Sequence, residues 1–320
     1  MAQAHAQGSR KVVYAGIVGN LLVAATKFTA AGFTHSSAML SEAVHSVVDT
    51  LNQVVMLHGL KRSSRPPDKE HPLGHGRELY FWSFVVAVLI FAIGAGVSVY
   101  EGITHVMEPH PMENPWVNYV VLAIAGGIEF GSWLVAMREF RRHKGDLGYF
   151  EAAEKTKDPS TLTLLLEDSA ALLGIAIALA GTAASQAFDL PVLDGVASIL
   201  IGLLLGGVSL FLARESKQLL IGEPARRGLV EAIRRCAEAQ EGVHHVNGML
   251  TIHLAPRQVV CALSIEFDDA LKVPRIETAV EEMEARIRHS HPEVTLVFVK
   301  PQRAGAYQAA QERRQHPPPE

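Results

Sequence analysis

Six long apolar stretches occupy the first two-thirds of the chain, and they restrict its fold more than any other feature. The clearest, FWSFVVAVLIFAIGAGVSVY, covers residues 81–100. At about 1.5 Å of rise per residue, a helix of about 20 apolar residues crosses the hydrocarbon core of a membrane. The stretches therefore predict an all-α bundle of six transmembrane helices. They lie near residues 12–33, 38–60, 80–103, 115–137, 160–184 and 190–212.

Lys and Arg residues alternate between the two predicted sides of this bundle. Loop 61–78 contains five of them and loop 138–159 contains six, and Arg10 and Lys11 precede the first stretch. The other loops contain none; these lie near 34–37, 104–114 and 185–191. Because basic loops stay in the cytoplasm, the pattern predicts six spans with both termini cytoplasmic. The Ala- and Arg-rich composition favours a bacterial inner membrane, and the apolar runs argue against a soluble helical protein.

The rest of the chain reads as soluble. From residue 213 to 301 an amphipathic helix, two alternating strands, a second helix and a last strand follow in the order α-β-β-α-β. We therefore expect a transmembrane domain at 11–212 and a small cytoplasmic α+β domain at 213–301. Residues 1–10 form a polar cytoplasmic segment, and the polar tail 302–320 is predicted to be disordered. The net charge of −4 does not suggest nucleic acid as a partner.

The second apolar stretch contains a polar face. In SEAVHSVVDTLNQVV, residues 41–55, the side chains of Glu42, His45, Asp49 and Asn52 lie within about 80° of arc at about 100° per residue. A carboxylate at the centre of a membrane helix costs roughly 2.5–3.5 kcal/mol on insertion scales. Such residues face a bundle interior or a watery cavity and mark an ion path.

The fifth stretch repeats this pattern with Glu167 and Asp168 inside TLTLLLEDSAALLGIAIALAG. A divalent cation between the two helices would offset these carboxylates. The predicted ligands of a transport site are His45, Asp49 and Asp168, a set of N and O donors that suits Zn²⁺ and tolerates Mn²⁺, Fe²⁺ or Co²⁺. The alternative is an internal hydrogen-bond or salt-bridge network that includes Lys27.

A third group of polar residues lies in the loop PPDKEHPLGHGRELYFW. Asp68, His71 and His75 have the spacing of metal ligands, and Gly74 and Gly76 permit a tight loop. The sequence therefore offers a second metal site in this loop. The alternative is a loop with solvated histidines.

These segments together resemble the cation diffusion facilitator family of divalent metal/proton antiporters, over residues 10 to about 300. HSVVD at 45–49 matches the family's first His/Asp-xxx-Asp motif, and EDSAALLG at 167–174 matches the region of the second. HPLGHGR matches the loop in which some members bind a second metal. Asn20 fits a polar position of the first span.

The resemblance implies a ferredoxin-like cytoplasmic domain that dimerises, and efflux of a divalent cation, Zn²⁺ first, in exchange for protons. It implies no enzyme activity and no cofactor beyond the transported metal. One departure matters: Leu164 stands where zinc-transporting members carry a fifth-span His, so Glu167 is predicted as an auxiliary ligand. The strand VTLVFVK also lacks the ligands that some members carry there. A non-transporting metal sensor or scaffold of the same fold is the alternative.

Overall fold

Helices dominate the chain, and one small sheet follows them. The computed structural model describes residues 2–144, 148 and 159–315. Its helices in the first part of the chain are α1 (Ala2–Thr34), α2 (Ser37–Ser63), α3 (Glu78–Leu89), α4 (Gly96–Met107), α5 (Trp116–Lys144), α6 (Pro159–Phe188) and α7 (Val192–Ile221). The remaining elements are α8 (Arg227–Glu238), β1 (Val243–Ala255), β2 (Gln258–Phe267), α9 (Val273–Ser290), β3 (Val294–Pro301) and α10 (Ala304–Gln315).

Among the described residues, five stretches of helix are long and apolar enough to cross a membrane. They are Ile17–Thr34, Glu78–Met107, Trp116–Arg141, Leu162–Phe188 and Val192–Ile221. The second of them runs from α3 to α4 through a π-helical turn at Ile90–Ala95. Helix α2 has 27 residues, but its polar residues lower its mean hydropathy below that of the other five. The structure thus supports five of the six predicted spans by length and composition.

Close contact between α4 and α7 depends on glycines. A Cβ added at Gly102 would lie 2.7 Å from the carbonyl oxygen of Gly195, and one added at Gly202 would lie 2.9 Å from the backbone nitrogen of Val99. Side chains at these positions would force the two helices apart, as expected where small residues allow membrane helices to approach. Gly127 and Gly131, which have the same four-residue spacing as Gly202 and Gly206, instead face open space.

The three strands form one mixed sheet in the order β1-β2-β3, with β1 and β2 antiparallel and β2 and β3 parallel. Ile233 of α8 and Met283 of α9 are fully buried against Cys261 and Ile265 of β2, so both helices cover the same face. This arrangement confirms the predicted order α-β-β-α-β and the small α+β domain.

The chain divides into two compact units, and the division differs from the predicted boundaries at two places. The first unit comprises residues 1–64 and 78–217, and the second comprises 65–77 and 218–320. The loop 65–77 therefore belongs to the second unit by its contacts. Within that unit, a Cβ at Gly76 would lie 2.9 Å from the carbonyl oxygen of Leu254, which shows how closely the loop contacts the end of β1.

The predicted disordered tail also differs from the structure, because Ala304–Gln315 forms helix α10. The backbone N–H of Ala304 donates to the Glu266 carboxylate at 3.3 Å. Tyr307 lies so close to Gly248 that any side chain on β1 at that point would overlap its ring. Contacts with the sheet thus order a segment whose composition alone indicated disorder. Residues 316–320 lie outside the described part of the chain, as do most residues of the predicted basic loop 138–159.

Candidate metal-transport site

Helix α2 presents the polar face that the sequence predicted. Its first turn is capped by Ser36, whose hydroxyl accepts from the Met39 backbone N–H at 3.1 Å. His45 is 2% exposed, and its Nε2 lies 3.5 Å from Oδ2 of Asp49, one turn later. Neither ring nitrogen of His45 nor Oδ1 of Asp49 has a hydrogen-bond partner. Because buried polar groups are nearly always hydrogen-bonded, these donor atoms are available to a ligand.

Helix α6 brings its two adjacent carboxylates to different neighbours. Glu167 Oε1 accepts from the Asn52 amide of α2 at 2.6 Å, and Asp168 Oδ2 accepts from the Ser132 hydroxyl of α5 at 2.8 Å. Consecutive helical residues point about 100° apart, so the pair connects α6 to both α2 and α5. Asn52 belonged to the predicted polar face. Ser132 was not predicted, because one serine within an apolar run gives no signal of its partner.

The structure brings the acidic side chains of three helices into one electrostatic group. The charge of Asp49 interacts with Glu167, Glu129 and Asp168. The predicted ligands His45, Asp49 and Asp168 thus belong to one region between α2 and α6. Among the described residues, only the loop cluster considered below has three ligand atoms within 4.8 Å of one another, so the intramembrane donors are spaced more widely.

Lys27 of α1 forms part of the buried hydrogen-bond and salt-bridge network that the sequence left as the alternative, although its partners are not the predicted metal ligands. Its Nζ donates to Oε2 of Glu42 at 3.0 Å and to the Ser46 hydroxyl at 2.9 Å, and both charged side chains are fully buried. The ion pair therefore connects α1 to α2 at residues that flank His45. It leaves the imidazole and Asp49 without a lysine hydrogen bond.

The loop cluster is the most compact group of metal-ligating atoms in the described part of the chain. Oδ2 of Asp68 lies 2.9 Å from Nε2 of His75, and Oδ1 lies 3.4 Å from Nδ1 of His71. One ligand atom from each residue falls within 4.8 Å of the other two. Gly74 has φ +82°, a conformation that favours glycine and allows the loop to turn between the histidines. The structure thus brings together the three residues that the sequence predicted.

Hydrogen bonds hold Asp68 in its ionised form. The hydrogen bond with His75, and next the backbone N–H of His71, lower the pKa of Asp68 to about 2. A carboxyl whose pKa is lowered contributes to stability above its unfolded pKa of about 3.9, and the contribution is lost as the pH falls through about 2. At milder acidity Asp68 remains a carboxylate.

We expect the double substitution Asp68→Ala with His75→Ala to lower the Zn²⁺ bound by the full-length protein by one ion per chain, measured by equilibrium dialysis. Removing two of three donors leaves His71 alone, too few for a stable site. The matched control is His244→Ala, which removes another exposed histidine beside an aspartate, 3.9 Å from Asp268. An unchanged stoichiometry in the double variant would show that the loop binds no metal.

The chain is similar in sequence to a known protein family and to several known proteins. Residues 13–221 match the family described as the cation efflux transmembrane domain. The chain is 34% identical over 265 residues to the proton-coupled zinc antiporter SLC30A9, mitochondrial, of Xenopus laevis, over 82% of this chain and 47% of that protein. It is 34% identical over 218 residues to metal tolerance protein C4 of Arabidopsis thaliana, over 68% of this chain and 48% of that protein.

A more distant relative is the manganese efflux system protein MneP of Bacillus subtilis, 23% identical over 242 residues, covering 72% of this chain and 75% of that protein. The chain spans about half the length of the antiporter and the metal tolerance protein that it matches. The family match covers all the described helices that are long and apolar enough to cross a membrane. The chain is therefore a multi-pass membrane protein of a class of transporters rather than enzymes, and it belongs to the cation diffusion facilitator family.

Proposed function

We propose that this protein exports a divalent metal cation in exchange for protons, with Zn²⁺ as the first candidate cargo and Mn²⁺, Fe²⁺ or Co²⁺ as others. The names of its relatives support this: one is called a zinc antiporter, one a metal tolerance protein and one a manganese efflux system protein. We also propose that α2 crosses the membrane, which brings the number of spans to six, since a helix of 27 residues is long enough to cross the bilayer. Both termini would then lie in the cytoplasm, and the host membrane would be a bacterial inner membrane.

The observation that carries the proposal is the pair His45 and Asp49. Both are on a helix within the family domain, and their donor atoms are buried without hydrogen-bond partners. Asp49 interacts electrostatically with Asp168 of the neighbouring helix α6. A divalent cation would offset the repulsion between these carboxylates and accept the lone pair of an unpartnered imidazole nitrogen. In this proposal His45, Asp49 and Asp168 bind the cargo, with Glu167 as an auxiliary ligand.

Proton exchange follows from the chemistry of the same donors. Imidazole and carboxylate groups hold a metal only when deprotonated, so metal and protons compete for one set of atoms. An inward-open bundle would load the cation from the cytoplasm. After the bundle opens to the other side of the membrane, protons would displace the cation. The protonated site would then face the cytoplasm again and release the protons there. His45 is the proposed proton carrier, because its imidazole nitrogen can hold either a proton or the metal but not both.

The soluble domain is proposed to join two copies of the chain. On the sheet face opposite α8 and α9, Leu250 and Phe298 flank Ala262 across the three strands and are 54% and 55% exposed. An apolar row of this kind is typical of an interaction surface. A homodimer would cover it. The loop ligands Asp68, His71 and His75 are proposed as a second metal site in the same unit.

A metal panel in reconstituted vesicles tests the function. The full-length protein is placed in proteoliposomes with a pH gradient, and uptake of Zn²⁺, Mn²⁺, Fe²⁺, Co²⁺ and Cd²⁺ is followed. We expect metal accumulation that depends on the gradient and is lost in Asp168→Ala. Binding of metal without uptake would overturn the antiporter proposal and favour the alternative, a membrane metal sensor or scaffold. Uptake that ignores the pH gradient would refute proton coupling.

A further inference from the structure

Glu129 of α5 is a membrane-embedded carboxylate that the proposed site does not yet use. No hydrogen bond or ion pair joins it to another described residue. Three other acidic side chains around the site each have a hydrogen-bond donor: Glu42 has Lys27, Glu167 has Asn52, and Asp168 has Ser132. Glu129 therefore resembles Asp49, whose Oδ1 also has no hydrogen-bond partner, and differs from Glu42, Glu167 and Asp168.

Glu129 lies on the face of α5 that contacts α6 near the site. Ser132 lies three residues further along the helix, on the same face, and its hydroxyl is 2.8 Å from Oδ2 of Asp168. Trp133 Nε1 donates to the Ser169 hydroxyl at 2.9 Å, so two neighbouring contacts fix the register of α5 against α6. The charge of Glu129 accordingly interacts with Asp168, Glu167 and Asp49.

A divalent cation would neutralise a carboxylate in this position. Lys27 is also within electrostatic range of Glu129, but its Nζ already donates to Glu42 and Ser46. The independent observation that points to a ligand is His45, which is 2% exposed and has no hydrogen-bond partner on either ring nitrogen. An unpartnered imidazole whose Nε2 lies 3.5 Å from the Asp49 carboxylate is a combination that a bound divalent cation satisfies.

The number of donors favours Glu129 over Glu167 as the remaining ligand. His45, Asp49 and Asp168 supply three donors, and tetrahedral Zn²⁺ takes four. Glu167 already holds the Asn52 amide at 2.6 Å, a bond that coordination would weaken or break. Glu129 has no such bond to give up.

We propose that Glu129 is a ligand of the transported cation, contributing from α5 a carboxylate that completes a site otherwise built from α2 and α6. This inference rests on the proposed transport function. It makes the cargo site one imidazole with three carboxylates. Because oxygen donors suit Mn²⁺ better than imidazole does, Glu129 would broaden the site from Zn²⁺ toward Mn²⁺.

The test is metal binding by the full-length protein in detergent, in a background with Asp68→Ala, His71→Ala and His75→Ala to remove the loop site. Zn²⁺ and Mn²⁺ affinities are compared for Glu129→Gln and for Glu167→Gln, the matched carboxylate that keeps its position beside Asn52. We expect Glu129→Gln to weaken binding by about 10-fold or more, with Mn²⁺ affected more than Zn²⁺, and Glu167→Gln to weaken it less. Glu101→Gln on α4 serves as an intramembrane control and should bind as the parent does.

A third variant separates a ligand from a structural role. Glu129→His returns a nitrogen donor and should restore Zn²⁺ binding while Mn²⁺ binding stays weak. Equal loss of both metals in Glu129→Gln and Glu129→His would contradict a ligand role and indicate loss of structure. Parent-like affinity in Glu129→Gln, together with lost binding in Asp49→Asn, would refute this inference and leave the proposed function intact. Parent-like binding in Asp49→Asn and Asp168→Asn would refute the proposed site itself.

Discussion

Substituting His45→Ala and Asp49→Ala together is expected to reduce proton-driven metal uptake into proteoliposomes by about 100-fold or more. Both side chains are on one face of α2, one turn apart, and both have buried donor atoms without partners. Their removal leaves the proposed site with carboxylates from α5 and α6 and no imidazole. Such a site can neither hold the cation in its present geometry nor use the imidazole to exchange it for protons.

A suitable control is His58→Ala on the same helix. The His58 ring is exposed and contacts Trp82, with ring centroids 4.8 Å apart. The His58→Ala substitution removes an imidazole from α2 without changing the polar face, and uptake should stay near that of the parent. If the double variant transports as fast as the parent while His58→Ala is also unchanged, the transport site is not on this face of α2.

The second large effect concerns stability. We expect Lys27→Met to destabilise the first unit by on the order of 3–5 kcal/mol, because it leaves the Glu42 carboxylate buried without its partner. The ion pair is fully buried, with 3.0 Å between Nζ and Oε2. The other carboxylate oxygen of Glu42 lies against Gly174 of α6 and has no hydrogen-bond partner, so no neighbouring donor replaces the lysine. The midpoint of thermal unfolding of the detergent-solubilised protein would report the loss.

A double-mutant cycle distinguishes the ion pair from simple loss of packing. Lys27→Met with Glu42→Gln removes both charges while keeping the shape of the glutamate, and should recover much of the stability lost in Lys27→Met alone. Lys61→Met, at the exposed end of α2, is the control for loss of one lysine and should have little effect. If the double variant is less stable than Lys27→Met by the full effect of Glu42→Gln, the two side chains act independently and the buried pair is not what stabilises α1 against α2.

The sequence predicted features that depend on local pattern. A run of apolar residues identifies a membrane helix from its own length, and an 80° arc identifies a polar face from the positions of Glu42, His45, Asp49 and Asn52. The α-β-β-α-β order of the soluble domain followed from its periodicity, and the structure confirms it. The loop ligands Asp68, His71 and His75 lie within eight residues, so a single tight turn brings them together.

Tertiary structure decided the pairings between helices. Lys27 with Glu42, Asn52 with Glu167 and Ser132 with Asp168 each join two helices, and each depends on how far one helix is rotated and shifted against the other. The same dependence separates Gly202, which faces a backbone, from Gly127 and Gly131, which face open space. Pattern along one helix determines which face is polar but contains no information on the partner's rotation or register. The apolar stretches, the polar face of α2 and the proximity of the three loop residues were therefore determined by sequence alone, and the partners of each buried charge by packing.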